Sequence, residues 1–161
     1  MSNGTRPRWR RPVTLFAWAA FLAGTGFVLF LGTDEFSAQH TQGLLTPLLH
    51  WLFPDMNANE KYLLHLRIRK TAHVVEYGIL ALLALQAVWL SVKSALARIV
   101  LTSLVLVAIV AMVDETRQAY SSSRTGSVYD VLLDITGAAV ALALVLWLRR
   151  IRLRRGAPDP A

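Results

Sequence analysis

The chain has 161 residues, of which 55% are hydrophobic, with a mean hydropathy of +0.45 and a formal net charge of +7. This composition is too apolar for an ordinary soluble domain, so the membrane is the expected solvent. The basic residues form short clusters beside apolar segments, which is typical of membrane orientation, and we therefore predict no nucleic-acid partner. Cysteine is absent, which excludes a disulfide, a thiolate nucleophile and a cysteine metal site.

The first apolar segment, residues 13–32, follows four arginines within residues 6–11. A membrane-spanning helix needs about 20 apolar residues, whereas the core of a signal peptide has about 7–15. No small-x-small cleavage site follows the segment at Gly32-Thr33-Asp34. We therefore predict an uncleaved first span. The Arg10-Arg11 pair also fits a twin-arginine export signal, but the length of the segment and the later spans argue against that alternative.

The longest polar interval, residues 33–69, contains the apolar stretch QGLLTPLLHWLF at 42–53. Pro47 interrupts this stretch and Pro54 ends it, and it is too short to cross a bilayer. Its aromatic residues, among them Trp51, suit the boundary between lipid and water. We predict a short interfacial helix here.

Three further apolar segments predict spans at 71–92, 99–118 and 128–148. Asn57 followed by Glu60 has the pattern of a capping box, so a helix should begin there and lead into the second span. The expected fold is all-α, an integral membrane bundle of four transmembrane helices within residues 13–148.

Basic residues also predict how the bundle is oriented. They lie in the terminal segments 1–12 and 149–161 and at Lys93 and Arg98 between the second and third spans. The positive-inside rule places all three regions in the cytoplasm. The interval 33–69 and the loop before the fourth span then face outward, and the predicted location is a plasma membrane, multi-pass, with both termini cytoplasmic.

The outward ends of the last three spans carry a cluster of polar residues in otherwise apolar helices. An ionisable side chain at the bilayer centre costs about 2.5–3.5 kcal/mol on insertion scales, so a cluster indicates pairing, water access or function. Glu76 and Asp134 lie deepest. The topology brings together Lys70, His73, Glu76, Tyr77, Asp114, Glu115, Arg117, Gln118, Arg124, Asp130 and Asp134.

This cluster is rich in acids, which predicts a shared proton, a recruited cation or access to water, because closely spaced carboxylates resist simultaneous ionisation. One histidine and no cysteine disfavour zinc, while an oxygen-ligated Mg²⁺, Mn²⁺ or Ca²⁺ ion stays open as an alternative. We predict no cofactor and assign no metal ligand. The sequence has none of the motifs GxSxG, GxxxxGK[ST], GxGxxG or HExxH.

The stretches RKTAHVVEYGIL (69–80), DETRQ (114–118) and DVLLDITGA (130–138), with Arg124 between the last two, resemble the VanZ-like membrane proteins. The serines before Arg124 depart from that family, which often has an apolar-Pro-Gly sequence there. The resemblance implies a bacterial membrane protein, in a family whose founding members are linked to reduced sensitivity to glycopeptide antibiotics of the teicoplanin kind. It also implies that the family's polar positions are Lys70, His73, Glu76, Tyr77, Asp114, Glu115, Gln118, Arg124, Asp130, Asp134 and Gly137.

Our functional hypothesis is a cell-envelope factor whose outer polar site engages an anionic or sugar-bearing lipid-linked molecule, with membrane lipids as its other partners. Whether the protein is an enzyme stays open, as does its oligomeric state. The alternatives are a proton-linked transporter and a structural or partner-binding subunit whose charges lock the helices together. Candidate catalytic residues are His73, Glu76, Asp114 and Glu115, and candidate substrate-binding residues are Lys70, Tyr77, Gln118, Arg124, Asp130 and Asp134.

Overall fold

The structure, a computed structural model, describes residues 10–36, 38–121 and 126–155. These residues form helices joined by short connections, and no strand occurs among them. The helices are α1 (Arg10–Leu31), a 3-10 turn (Asp34–Phe36), α2 (Ala38–Leu52), α3 (Ala58–Ser91), α4 (Leu96–Ala119) and α5 (Val128–Arg155).

Four of these helices, α1, α3, α4 and α5, are long and apolar enough to cross a membrane. Large apolar side chains stand on their outer surfaces, including Phe16 at 75% exposed and Leu101 at 61%. Such a surface suits lipid and not water. The prediction of an all-α bundle with four candidate membrane spans is therefore confirmed.

The longest helix, α3, begins well before its apolar part, at the predicted capping box. The Asn57 side chain accepts a hydrogen bond from the Glu60 backbone at 2.9 Å, and the Glu60 carboxylate accepts one from the Asn57 backbone at 2.8 Å. At about 1.5 Å per residue the helix is about 50 Å long, against about 30 Å for the hydrocarbon core. The first turns of α3 therefore extend beyond the apolar layer.

A helix also forms in the interval between the first two spans, where a short one was expected. It starts earlier than the apolar stretch and continues through Pro47, which was expected to interrupt it. Pro47 has no N–H to donate to the carbonyl of Gly43, so that one intrahelical bond is missing. At the other end of the chain, α5 continues into the first residues of the basic segment, as far as Arg155.

The core is arranged around α3, which packs against α1, α2, α4 and α5, while α4 also packs against α5. Small residues dominate its inner face, so its neighbours approach closely. The buried core consists of Phe21, Val28, Tyr77, Leu80, Ala81, Ala84, Val107, Ala111, Ala138 and Leu142.

The helices α3 and α5 cross closely, and two glycines permit the approach. A Cβ on Gly137 would overlap the backbone of Val74, and a Cβ on Gly78 would lie 3.5 Å from both Ala141 Cβ and the Gly137 carbonyl oxygen. The small residues Gly137 and Ala141 of α5 thus face α3. This contact fixes the depth at which the polar residues of α5 meet those of α3.

Candidate functional site

Two groups of buried polar side chains lie at one end of the bundle, and the first is centred on Asp114, whose exposure is 0%. Its Oδ2 accepts hydrogen bonds from the Tyr77 hydroxyl at 3.3 Å and the Gln118 amide at 2.9 Å. Its Oδ1 accepts one from the Arg117 guanidinium at 3.2 Å. Arg117 also donates to the carbonyl of Leu29 near the end of α1. We call these residues the Asp114 network; it ties α1, α3 and α4 together.

Gly32, just after α1, lies directly against this network. A Cβ at this position would overlap the Asp114 carboxylate and the Arg117 guanidinium. The glycine therefore lets the end of α1 reach the network without displacing it.

The second group, which we call the His73 cluster, consists of His73, Glu115 and Asp134. His73 Nδ1 lies 3.4 Å from Asp134 Oδ1, and one ligand-type atom from each of the three residues lies within 4.8 Å of the others. Asp134 is 0% exposed and Glu115 is 5% exposed. Neither Asp134 oxygen has a hydrogen-bond partner among the described residues, and nor does His73 Nδ1.

Glu115 reaches the cluster from α4 and also holds the start of α5. One of its carboxylate oxygens accepts a hydrogen bond from the Ser127 backbone N–H at 2.9 Å. The Ser127 hydroxyl in turn accepts one from the Tyr129 N–H at 3.1 Å, which caps the helix. A Cβ on Gly126 would overlap the backbone of α4 at Glu115. This close approach brings the first turns of α5, and with them Asp134, beside Glu115.

The two groups meet at one ring contact. His73 and Tyr77, one turn apart on α3, stack with their ring centroids 6.3 Å apart and an interplanar angle of 13°. Tyr77 belongs to the Asp114 network through its hydroxyl, so a movement of one group would also move side chains of the other.

Lys70 and Asp130 form a third, more exposed pair at the rim, with Lys70 Nζ 3.1 Å from Asp130 Oδ1. Their side chains are 63% and 30% exposed, so this pair is worth at most about 1 kcal/mol. Arg124, the remaining predicted site residue, lies outside the described residues.

A cavity of about 140 Å³ lies beside the His73 cluster, between the end of α1 and the middle of α3. Its polar wall is formed by Arg69, His73 and Glu76 of α3. Arg69 Nη1 donates to the Phe36 carbonyl at 2.6 Å and to the Thr41 hydroxyl at 3.3 Å, which holds the guanidinium at the cavity. The apolar wall is formed by Val28, Leu31, Gly32, Phe36 and Ala72.

Arg69 lines the cavity although the sequence motifs did not indicate it as a site residue, and the signal for it is a four-residue spacing along α3. Lys61, His65, Arg69 and His73 recur at that interval and so lie along one side of the helix. We call these four residues the basic row of α3. It could have been found from the sequence, because a basic row entering an apolar span is unusual.

The two residues of the basic row that lie nearest the start of α3, Lys61 and His65, face α2. Lys61 is only 6% exposed, and its Nζ lies 2.9 Å from His50 Nδ1. His65 is 2% exposed, with its Nε2 3.2 Å from the Thr41 hydroxyl. A second cavity of about 90 Å³ adjoins them. Polar side chains thus line the α2–α3 contact from the start of α3 to the first cavity.

Among the described residues, the predicted site residues therefore differ in what they contact. Asp114, Tyr77 and Gln118 are bonded to one another, Lys70 and Asp130 pair at the rim, and Glu76 and His73 face the cavity.

Comparison with known proteins agrees with the resemblance in the motifs. The family model described as VanZ/LLP1 matches residues 14–149, which include the four candidate spans almost entirely and every residue of both polar groups. No curated protein and no solved structure matches the chain.

Proposed function

Because the chain belongs to the VanZ/LLP1 family, we propose that it is a bacterial cell-envelope membrane protein that holds the anionic head of a lipid-linked molecule. The observation that carries this proposal is the first cavity, which has an apolar wall on α1 and a polar wall on α3. A lipid-linked molecule has the same division, since a charged head joins an apolar chain. The cavity volume of about 140 Å³ suits part of a head group and not a whole lipid.

Arg69 is the residue to which we assign the anion. Both of its hydrogen bonds within the described residues use Nη1, so the N–H groups of Nη2 and Nε can donate to a phosphate or carboxylate. Guanidinium matches such planar or tetrahedral anions with two parallel hydrogen bonds. Lys61, the other permanent cation of the basic row, adds positive charge toward α2 where the head group would enter. This assignment places the anion at Arg69, whereas Lys70 faces Asp130.

The polar wall of the cavity also supports a more specific proposal, namely that the protein carries out acid/base chemistry on the bound molecule. A carboxylate that contacts one nitrogen of an imidazole orients the ring and stabilises its charged form, as Asp134 would do for His73. Glu76, half-buried in the same wall, could exchange a proton with a head-group hydroxyl or a water molecule. A reaction would therefore take place on the cavity side of α3.

Proton-linked transport receives less support from the described residues. A transport path needs polar groups that continue across the membrane. Within the described core, the buried polar residue beyond Asp114 is Ser103, whose hydroxyl is bonded to the Ile99 carbonyl of its own helix. Polarity is thus concentrated at one end of the bundle, which favours a site open to one side.

The proposal is tested by lipid retention in nanodiscs. The probe is a polyprenyl monophosphate, compared with the polyprenyl alcohol of the same chain length, and bound lipid is counted by native mass spectrometry. We expect preference for the phosphate and at least tenfold weaker retention by Arg69→Gln, because one charge-assisted bidentate contact is worth about 1.5–3 kcal/mol.

The matched control is Arg98→Gln, which removes an exposed guanidinium at the opposite end of the bundle. Arg69→Lys keeps the positive charge but loses the two parallel N–H donors of the guanidinium, so this variant should retain an intermediate amount of lipid. Equal retention of the phosphate and the alcohol by the parent protein, or equal losses in Arg69→Gln and Arg98→Gln, would contradict the proposal.

A further inference from the structure

We propose that the His73 cluster is a binding site for a divalent transition-metal ion, Zn²⁺ or Mn²⁺. The single histidine of the cluster had disfavoured zinc, but the bundle places two carboxylates from different helices beside that ring. One imidazole nitrogen and two carboxylate oxygens make a three-ligand set from α3, α4 and α5.

The distances suit one ion held between the three side chains. Two ligand atoms that lie about 2.1 Å from an ion at the tetrahedral angle are about 3.4 Å apart. His73 Nδ1 and Asp134 Oδ1 have that separation, 3.4 Å. The three ligand atoms lie within 4.8 Å of one another, so the widest pair must close by about 1.4 Å, a shift that rotation of the Glu115 side chain can supply.

Burial supplies an independent reason to expect a cation. Both oxygens of Asp134 are buried without a hydrogen-bond partner among the described residues, and such an orphaned carboxylate costs several kcal/mol. The described ion pairs place Lys70 at Asp130, Arg117 at Asp114 and His73 at Asp134, and the imidazole of His73 is charged only when protonated. No described ion pair places a lysine or arginine at Asp134 or Glu115. A divalent ion would offset both buried charges at once.

The nature of the ligands narrows the choice of ion. Ca²⁺ takes 6–8 oxygen ligands and Mg²⁺ keeps several waters in an octahedron of oxygens, so both are poor matches to a buried imidazole. Imidazole suits zinc and iron, and carboxylate suits manganese as well. Three protein ligands leave one or more positions for water or substrate, which is the arrangement of catalytic and not structural zinc sites.

The metal site adds to the head-group proposal without depending on it. His73 belongs to both the cluster and the polar wall of the cavity. An ion bound by His73 would therefore be separated from the anion at Arg69 by the His73 side chain. With His73 Nδ1 as a ligand, the role of proton carrier passes to Glu76. Loss of Arg69 should weaken lipid retention and leave metal binding intact.

The test is metal binding by the full chain in detergent micelles, after purification through chelator. Equilibrium dialysis against Zn²⁺ or Mn²⁺ with elemental analysis should give about one ion per chain, and Mg²⁺ and Ca²⁺ should not compete at tenfold excess. Glu115→Gln and Asp134→Asn should each bind at least tenfold more weakly. Glu35→Gln and Asp55→Asn, the same chemical changes at exposed positions, should bind like the parent.

A measurement on the parent chain covers the case in which a variant fails to fold. Pulsed electron paramagnetic resonance of the Mn²⁺ complex should show coupling to a ¹⁴N nucleus, because the imidazole of His73 is the proposed nitrogen ligand. The proposal is overturned if the parent binds no stoichiometric ion, if the ¹⁴N coupling is missing, or if folded Glu115→Gln and Asp134→Asn bind as the parent does. The last result would mean an adventitious ion only.

Discussion

Two fully buried aspartates, Asp114 and Asp134, lie at the same end of the bundle and have opposite surroundings. Asp114 receives hydrogen bonds from a hydroxyl, an amide and a guanidinium, so its charge is compensated. Asp134 has a histidine at 3.4 Å and no hydrogen bond among the described residues. A satisfied buried carboxylate locks helices together, whereas an unsatisfied one is retained at a cost that function can explain.

We predict that neutralising these two aspartates has opposite effects on stability. Asp114→Asn leaves at least one donor without an acceptor and should destabilise the protein by about 1.5–3 kcal/mol. Asp134→Asn removes a buried, poorly paired charge, so the metal-free protein should be as stable as the parent or more stable. Thermal unfolding in micelles, followed by tryptophan fluorescence, measures both variants.

Asp130→Asn controls for the loss of any aspartate near these helix ends and should change stability by less than about 1 kcal/mol, since its pair with Lys70 is partly exposed. If Asp134→Asn unfolds as readily as Asp114→Asn, Asp134 is part of the lock and its functional role is in doubt. Loss of lipid retention or metal binding with unchanged stability would instead separate function from folding.

At the scale of elements, α3 carries most of the organisation of the molecule. Its C-terminal half supplies small residues to the core. Its N-terminal half carries the basic row, which faces α2 and the first cavity. One helix therefore joins the region outside the apolar layer to the His73 cluster. Because the helix is continuous from Ala58 to Ser91, a change in its rotation would move the row and the cluster together.

The close contact of Gly137 with the Val74 backbone, where α3 and α5 cross, can be tested by adding one methyl group. Gly137→Ala places a methyl group against the Val74 backbone, which cannot give way as a flexible side chain would. We expect a loss of about 1–3 kcal/mol from overpacking and weaker metal binding, because Asp134 shifts relative to His73. Thermal unfolding and the dialysis measurement report the two effects.

The matched control is Gly26→Ala in α1, where an added Cβ meets nothing within 4 Å. Alanine also favours a helix more than glycine does, so this variant should be as stable as the parent or more stable. Equal stability of Gly137→Ala and Gly26→Ala would mean that the two helices do not cross as closely as the structure shows.

At the scale of the whole molecule, buried polar groups gather at one end of a bundle whose outer surface is apolar. Lipid solvates such a surface and cannot hydrogen-bond with the polar end, so that end must satisfy itself, meet water or bind a ligand. The buried charged groups of the described residues thus lie at one end of the bundle, and the side of the membrane that they face depends on the orientation of the protein.

We predict that both termini are cytoplasmic and that the polar end faces outward, since basic residues lie at both termini and at Lys93 and Arg98. The chain has no cysteine, so single cysteines can be introduced without background. In intact cells a membrane-impermeant maleimide should label Asp55→Cys, in the connection before α3. It should label Ala95→Cys, in the turn before α4, only after permeabilisation. The reverse pattern would refute this orientation.

The sequence alone determined the number of spans, the capping box at Asn57 and the clustering of polar residues at one end. These features depend on composition and local spacing: a long apolar segment has no alternative in lipid but to form a helix, and side-chain capping is a local contact. The VanZ-like motifs, spread over three spans, also indicated the family that the match over residues 14–149 supports.

Only the tertiary structure decided which polar residues are partners. The sequence placed Asp114 and Asp134 in one cluster without showing the partners of either. It also favoured Lys70 over Arg69, yet Lys70 pairs with Asp130 while Arg69 lines the cavity. These outcomes depend on how far each helix is rotated and how closely it approaches its neighbours, which close contacts such as that of Gly137 with Val74 determine. Helical periodicity describes one helix at a time, so it carries no information on contacts between helices.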